Sequence, residues 1–197
     1  MFISIIISSS RPKSQSAKVG QYVSSLVATK HSIHSVKDLL PKLWDSDDFE
    51  SMKEQFAAKN EIISEELNQA DAFIFVVPEW HGMVPPAMKN LFVTCDKELA
   101  HKPALLVAVS AGIGGSYPIA ELRMSSYKNS RVCYIPDHVI VRGVEQVLNT
   151  PDSANQDDTR IRERLAYSVK VLEEYAKAFQ SIRKSGIIDL ATYPNGM

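Results

Sequence analysis

Cysteine is nearly absent from this sequence, which has two such residues, Cys95 and Cys133, among 197. They do not form a CxxC pair, and each lies beside apolar or aromatic neighbours, so we interpret both as buried structural thiols. A chain of this length buries a sufficient core without disulfides or metals. The sequence therefore predicts one globular domain, and its free thiols make the cytoplasm the expected location.

Long apolar runs and an excess of one charge are also missing. No run approaches the roughly 20 residues that a membrane-spanning helix needs. The apolar opening MFISIII has no basic stretch before it and continues into Ser-Ser-Ser-Arg, so it predicts a strand rather than a signal peptide. With 22 basic and 23 acidic residues the net charge is −1, which predicts no general attraction to nucleic acid or to membranes.

Motifs that define several other functions are lacking. The chain has no GxGxxG, no GxxxxGK(S/T) and no GxSxG, which argues against a Rossmann dinucleotide fold, a P-loop NTPase and a serine hydrolase. The histidines are scattered, with no HxH or HxxxH pair, so we expect no metal site.

What the sequence does contain is an alternation of short β-rich runs with longer amphipathic segments, typical of an α/β protein with a parallel sheet. Strands are predicted over 2–8, 32–39, 72–77, 104–110 and 131–142, the last with a break near Pro136. Helices are predicted over 16–29, 49–69, 85–99, 116–129 and 159–184. We expect a single domain over 1–185 and a poorly anchored tail over 186–197.

Glycine is scarce, and its placement indicates where a ligand binds. The chain has 8 glycines, where average usage would give about 14. Four of them follow the third and fourth strands, namely Gly82, Gly112, Gly114 and Gly115. Ligands of a doubly wound sheet bind outside the carboxyl ends of its strands, and backbone close to a flat ligand needs conformational freedom. The loops after strands one, three and four are therefore predicted to form one site.

The loop after strand one, SSSRPKSQS at 8–16, is predicted to bind a phosphate. It joins a buried strand to a helix N-terminus, where unpaired N–H groups and the helix dipole favour an anion. Hydroxyl, guanidinium and amide groups there are suited to a phosphate dianion, and they belong to Ser9, Arg11, Ser14, Gln15 and Ser16. The alternative is that Ser16 only caps the helix and the other serines fill a loop.

The other two loops are suited to a conjugated ring. The second, PEWHG at 78–82, offers a planar aromatic, a glycine and backbone amides. The alternative for Trp80 is core or dimer packing. The third, SAGIGGS at 110–116, is rich in glycine, although a turn that starts a helix explains it about as well.

In this order the three loops resemble those of the NADPH-dependent FMN reductase family, flavodoxin-like enzymes that include azo-, chromate- and quinone-reducing members. The resemblance covers roughly residues 1–145. PEWHGMVPPAMKN at 78–90 is similar to the family's Pro-Glu-Tyr-Asn-Gly…Pro…Lys-Asn signature, and SSSRPKSQS to its Gly-Ser-x-Arg-x-x-Ser loop. The resemblance implies a flavodoxin-like three-layer sandwich with strand order 2-1-3-4-5.

The resemblance also implies a role for each site residue. Ser9, Arg11, Ser14, Gln15 and Ser16 hold the FMN phosphate; Pro78, Glu79, Trp80, His81 and Gly82 line the isoalloxazine, largely through backbone N–H groups; Ser110, Gly112, Gly114 and Gly115 close over its other side. Ser8 stands where the family has glycine, and Trp80-His81 replaces Tyr-Asn. We expect the larger ring of Trp80 and the ionisable imidazole of His81 to narrow the pocket, alter substrate preference or weaken flavin binding.

The implied function is a ping-pong NAD(P)H oxidoreductase, in which FMN carries the chemistry and no dedicated acid–base residue is needed. The implied acceptor is a small molecule: a flavin, a quinone, an azo compound or a metal oxyanion. The implied assembly is a homodimer or homotetramer. One alternative is a flavodoxin-type electron carrier, although a net charge of −1 supplies little steering towards a redox partner. The other is a flavin-free binding module on the same fold.

Overall fold

In the computed structural model of the protein, five strands form one parallel sheet in the order β2-β1-β3-β4-β5. The strands are β1 (Phe2–Ile7), β2 (Lys30–Ser35), β3 (Ala72–Pro78), β4 (Pro103–Val109) and β5 (Cys133–Val141). The structure describes residues 1–11, 13–39, 61–95 and 97–194. The predicted α/β class and strand order are confirmed, and this order is that of flavodoxin-like sheets.

Helices cover both faces of the sheet and make three layers. They are α1 (Gln15–Leu26), α2 (Val36–Leu39), α3 (Glu61–Gln69), α4 (Pro86–Thr94), α5 (Ser116–Ser125) and α6 (Gln156–Lys184), with a short 3-10 helix at Val144–Gln146. Helices α1 and α6 pack on one face, while α3, α4 and α5 pack on the other. Among the described residues, no helix is long and apolar enough to cross a membrane.

The central strands are buried on both faces, which is why their sequences are nearly continuous apolar runs, with Ser4 of β1 as a buried polar exception. Every residue of β1, β3 and β4 is buried. Ile3, Ile5 and Ile7 face α1 and α6, whereas Phe73 and Phe75 face the opposite layer. The carboxyl ends of these three strands therefore sit rigidly side by side.

Several predicted boundaries differ from the observed ones. The predicted strand over 32–39 ends at Ser35, because Val36 and Leu39 are both fully buried at helical rather than alternating spacing. The helix predicted over 85–99 ends at Thr94, and the helix predicted over 116–129 ends at Ser125. Of the helix predicted over 49–69, residues 61–69 are helical, and 49–60 lie outside the described residues, as does Pro12.

The predicted break at Pro136 is confirmed as an irregularity in β5. Ala104 of β4 pairs with Tyr134, but Leu106 pairs with His138, so the register shifts across the proline. Proline lacks the N–H that a ladder needs. The neighbouring carbonyls are bound instead by Arg123 Nη2, which lies 2.7 Å from the oxygen of Ile135 and 3.0 Å from that of Pro136.

At the opposite edge from the predicted site, Lys102 closes the end of α3. Its Nζ donates to the carbonyls of Leu67 (2.7 Å) and Asn68 (2.6 Å). Burial, together with the nearby charge of Arg183, lowers the pKa of Lys102 to about 7. The free energy of unfolding therefore depends on pH through this buried lysine, which lies far from the predicted site.

The cysteines and the tail add two smaller findings. Cys95 is buried and Cys133 half-buried, both are free thiols, and burial raises the pKa of Cys133. The division into a domain over 1–185 and a tail over 186–197 stays a prediction. The described part of the tail is mostly exposed, and Arg131 Nη2 donates to the carbonyl of Tyr193 at 2.6 Å. Residues 195–197 lie outside the described residues.

Candidate functional site

A cavity of about 440 Å³ lies at the carboxyl ends of β1, β3 and β4. Nine of the fourteen predicted site residues line it: Ser9, Arg11, Ser14, Gln15, Ser16, Pro78, Glu79, Trp80 and His81. The other five, Gly82, Ser110, Gly112, Gly114 and Gly115, lie in the second and third loops but do not line this cavity. The structure therefore brings the first two loops together as predicted, with the third beside them.

The end of the cavity that is predicted to bind phosphate is formed by the N-terminus of α1. Ser14 is the N-cap, and its Oγ accepts the N–H of Ala17 at 3.2 Å. Ser16 is therefore not the cap, and it lies buried in the cavity wall instead. The first turn of a helix has unpaired N–H groups and a positive dipole end, so this wall favours an anion.

Ser8 and Ser9 have different roles in the first loop. The Ser8 hydroxyl is fully buried and donates to the carbonyl of Val76 at 3.0 Å, so it belongs to the sheet rather than to the cavity. The Ser9 Oγ accepts the N–H of Arg11 at 3.4 Å and bends the loop into the cavity wall. A serine at position 8, where the family has glycine, thus occupies no cavity space.

Arg11 joins the first loop to the second. Its guanidinium carbon lies 5.2 Å from the centre of the Trp80 ring, a cation–π contact. Lys13 also lines the cavity, although the sequence did not single it out. The cavity therefore has two cationic side chains near the helix N-terminus, one of them held by Trp80.

The second loop is a tight turn with a left-handed backbone. Trp80 and Met83 exchange both backbone hydrogen bonds (3.0 and 2.9 Å), and the residues between them, His81 and Gly82, have φ of 51° and 73°. Positive φ at both central positions defines a type I′ turn, which prefers Asn-Gly. Histidine is among the residues enriched at positive φ, so His81 keeps the turn that asparagine would make.

This turn decides which amides of the second loop are available to a ligand. The Glu79 N–H donates to the carbonyl of Val109 at 3.0 Å, and the Trp80 N–H is used within the turn. The amides of His81 and Gly82 have no acceptor among the residues that the structure describes. The predicted set of ring-binding amides in this loop therefore narrows to these two.

Glu79 connects the second loop to the third. Its Oε2 accepts the N–H of Gly115 at 2.6 Å. A Cβ on Gly114 would lie 2.5 Å from Glu79 Oε1, and Gly115, with φ of 103°, would push a Cβ into Ile140. The close carboxylate explains the first of these two glycines, and the left-handed backbone explains the second.

The loop after β5 forms a wall that the sequence analysis missed. Val144 and Glu145 line the cavity. The Val144 N–H donates to the carbonyl of Ser110 at 3.1 Å, and the Gly143 N–H to that of Gly112 at 3.0 Å. Gly143, two residues after the end of β5, has φ of 53°, and a glycine in that position was the one sequence signal available.

Two charged residues hold this loop in place. Lys18 Nζ donates to the carbonyls of Val144 (2.6 Å) and Val147 (2.8 Å), and partial burial lowers its pKa against the opposing charge of Asp158. Asp158 is fully buried and accepts the N–H of Leu148 at 3.0 Å and Nε of Arg162 at 3.0 Å. Burial opposes its ionisation, but these bonds outweigh burial and lower the pKa of Asp158.

The lysine of the 78–90 segment has a structural contact rather than one in the cavity. Lys89 Nζ lies 2.5 Å from Glu121 Oε1, and the other oxygen of Glu121 accepts the N–H of Val84 at 2.8 Å. Although burial opposes it, these contacts lower the pKa of Glu121. They fix the chain that leaves the second loop against α5.

The profile of the NADPH-dependent FMN reductase family matches residues 1–146, which include all three loops. The chain belongs to this family. The family is described by the NADPH-dependent reduction of FMN, which agrees with the resemblance seen in the loops.

Relatives of this FMN reductase family member are found by sequence and by structure. A quinone reductase of Escherichia coli (strain K12) is 34% identical over 89 residues, which are 43% of this chain and 45% of that protein. The chain thus spans about half the length of the curated relatives it matches. The flavoenzyme NAD(P)H:(acceptor) oxidoreductase FerB from Paracoccus denitrificans is 16% identical, with a TM-score of 0.70 over 90% of this chain and 98% of FerB. An NAD(P)H:quinone oxidoreductase from Methanothermobacter marburgensis is 14% identical, with a TM-score of 0.60 over 87% and 98% of the two chains. The structural matches establish the shared fold.

The donor set of the cavity fits the phosphate of FMN. Arg11 and Lys13 supply positive charge, Ser9 and Ser16 supply hydroxyls, and α1 supplies its N-terminus. A volume of about 440 Å³ is within the range of small-molecule sites. Among the described residues, no group of three or more His, Cys, Asp and Glu side chains is arranged to hold a metal.

Proposed function

We propose that the protein is an NAD(P)H-dependent FMN reductase that passes electrons to a small acceptor. The acceptor classes are a flavin, a quinone, an azo compound or a metal oxyanion. The observation that carries the proposal is the single cavity that joins a cationic, hydroxyl-rich loop to a turn with two unused amides. Family membership supplies the cofactor for that cavity.

Residues of the first loop hold the phosphate. Arg11 and Lys13 neutralise its charge, the Ser9 and Ser16 hydroxyls donate to its oxygens, and the first turn of α1 directs its dipole at it. Ser14 keeps the helix end in place as its cap, and Gln15 offers an amide beside it. These groups orient the cofactor, so that its ring extends towards the second loop.

Residues of the second and third loops act on the ring. When bound, FMN supplies the redox chemistry, taking a hydride from NAD(P)H and releasing electrons to the acceptor. The amides of His81 and Gly82 stabilise negative charge on the ring, as preorganised donors do in other enzymes. Trp80 forms the wall beside Arg11, and Glu79 fixes the third loop at the ring's other side through Gly115.

Donor and acceptor use the same opening in turn, which is a ping-pong cycle. The named activities of the relatives support this choice of acceptors, because the Escherichia coli protein is a quinone reductase and FerB an NAD(P)H:(acceptor) oxidoreductase. After it has given up its hydride, the donor leaves as NAD(P)⁺ before the acceptor enters, so one cavity serves both half-reactions.

The assembly is a homodimer or homotetramer, and the location is the cytoplasm. Met83 and Tyr117 are exposed apolar side chains beside the second loop, and the Tyr117 ring is 3.8 Å from where a Cβ of Gly82 would lie. A second copy covering them would also cover the edge of the flavin site, in accordance with the homo-oligomer that the resemblance implies.

The test is an absorption spectrum of the FMN-loaded protein before and after anaerobic NADPH, followed by a quinone. We expect the visible flavin bands to bleach and then to return, without a second protein present. A protein that takes up no FMN on titration would contradict the proposal. Bleaching by dithionite but not by NADPH or NADH would instead identify an electron carrier.

A further inference from the structure

We propose that a second cavity, next to the flavin site, binds the phosphate-bearing adenosine half of the NAD(P)H donor; this inference rests on the proposed function. The cavity measures about 820 Å³ and lies between the tip of the third loop, the end of β5 and the first turn of α6. Ala111 lines both cavities, so the two are neighbours across the third loop.

Two arginines line this cavity together with the carboxylate of Asp157, so its charge is positive on balance. Arg142 is anchored to the third loop, because its Nε donates to the carbonyl of Gly114 at 3.0 Å and its Nη2 lies 3.4 Å from Ser116 Oγ. Arg160 has a 67% exposed side chain, and its one ion pair with a residue that the structure describes is to Asp157, at 3.5 Å. An exposed pair of this kind is weak, so a phosphate dianion readily replaces Asp157 as the partner of Arg160.

Three isoleucines give part of the wall a surface suited to a flat ring. Ile113, at the tip of the third loop, is 92% exposed, while Ile140 and Ile161 are half-buried in the same cavity. Ligand sites typically combine an apolar wall with a few placed polar groups. A phosphate joined to a flat heterocycle is therefore the chemistry that this cavity recognises.

The position of the cavity indicates which phosphate-bearing ring compound binds there, namely the NAD(P)H donor. The phosphate of the resident cofactor is accounted for by Arg11, Lys13 and the α1 N-terminus, on the far side of the third loop. A quinone or an azo compound has no need of a phosphate site. A pyridine dinucleotide has two parts, and its nicotinamide reaches the flavin cavity while its diphosphate and adenine lie along Arg142 and Arg160.

Binding of ADP to the FMN-loaded protein, measured by calorimetry, tests the site without any turnover. Arg160→Gln should raise the dissociation constant of ADP about tenfold, the effect of one charged hydrogen bond. Asp157→Asn should lower the dissociation constant of ADP by about twofold or more, because the substitution frees Arg160 and removes a negative charge that repels the phosphates of ADP. The matched control is Lys177→Gln, since Lys177 lies on the same helix and pairs with Glu174, also i,i+3, outside both cavities.

A kinetic measurement separates this site from the flavin site. Arg160→Gln should raise KM for NADPH about tenfold more than it raises KM for N-benzyl-dihydronicotinamide, a donor without phosphates. ADP binding that depends on Arg160 supports the site whether or not the protein oxidises NADPH, so failure of the proposed function is recognised separately. ADP binding equal in Arg160→Gln and Lys177→Gln overturns the inference, as does displacement of ADP by added FMN but not by NADPH.

Discussion

Replacement of Arg11 by alanine separates the phosphate end of the site from the ring end. Arg11 is exposed, and its guanidinium contacts Trp80 at 5.2 Å. The change removes one positive charge from the cavity and leaves the capped α1 N-terminus in place. Its effect should therefore depend on whether the flavin has a phosphate.

The expected magnitude differs between FMN and riboflavin. A hydrogen bond to a charged group contributes about 1.5–3 kcal/mol, so Arg11→Ala should weaken FMN binding by about 10- to 150-fold. Riboflavin has no phosphate, so its binding should be affected only through the loss of the cation–π contact between Arg11 and Trp80. That cation–π contact is worth about 0.5–1 kcal/mol at an exposed position, which is a loss of no more than about sixfold.

Quenching of flavin fluorescence on titration into apoprotein measures both affinities. Lys170→Ala is the control, since Lys170 is exposed on α6 and lies outside both cavities while its removal changes the net charge equally. Equal weakening of FMN and riboflavin by Arg11→Ala would refute the phosphate assignment and place Arg11 at the ring. Unchanged FMN affinity would refute any direct role.

Three further predictions concern stability. Gly115→Ala should lower the free energy of unfolding by about 1–3 kcal/mol, because residue 115 has a positive φ. Gly112→Ala should change it by less than about 1 kcal/mol, since no atom lies within 4 Å of the new Cβ. Equal effects of the two substitutions in urea unfolding would contradict this explanation. The free energy of unfolding of the wild type, relative to that of Lys102→Met, should rise between pH 7 and 10 by up to about 1.4 kcal/mol per pH unit. The reason is that the unfolded lysine keeps its proton to a higher pH than the folded one. If urea unfolding gives the same difference at pH 7 and pH 9, Lys102 keeps its proton when folded. Asp158→Asn should lower the free energy of unfolding by about 3 kcal/mol, because it leaves Arg162 without its charged partner. In thermal unfolding this loss should shrink as the pH falls below the ordinary pKa of aspartate, since the lowered pKa of Asp158 stabilises the fold only while the unfolded carboxyl is ionised. A loss that grows in acid would show that Asp158 does not stabilise the fold as a carboxylate.

The second loop shows how a departure from a family pattern is accommodated. From sequence, Trp80-His81 in place of Tyr-Asn was expected to narrow the pocket or alter its binding. The structure shows that His81 keeps the left-handed turn and that Trp80 carries a contact with Arg11. The effect of both residues on flavin affinity and substrate preference stays a prediction, which the riboflavin titration addresses.

The sequence by itself determined the sheet and the place of the site. Strands buried on both faces are almost entirely apolar, so β1, β3 and β4 are recognisable as nearly continuous apolar runs, and their carboxyl ends locate the loops. The phosphate loop is equally local, because Ser9, Arg11 and the start of α1 are neighbours along the chain. Patterns of this kind depend only on residues close in sequence.

Only the tertiary structure decided which groups face the ligand and what encloses it. The amides of Glu79 and Trp80 have the same chemistry as those of His81 and Gly82, but pairing with Val109 and Met83 removes them from the site. The wall after β5 is placed by Lys18, whose ammonium binds a carbonyl 126 positions away. Such contacts are set by the packing of α1 and α6 on one face of the sheet, and no local pattern in the sequence encodes them.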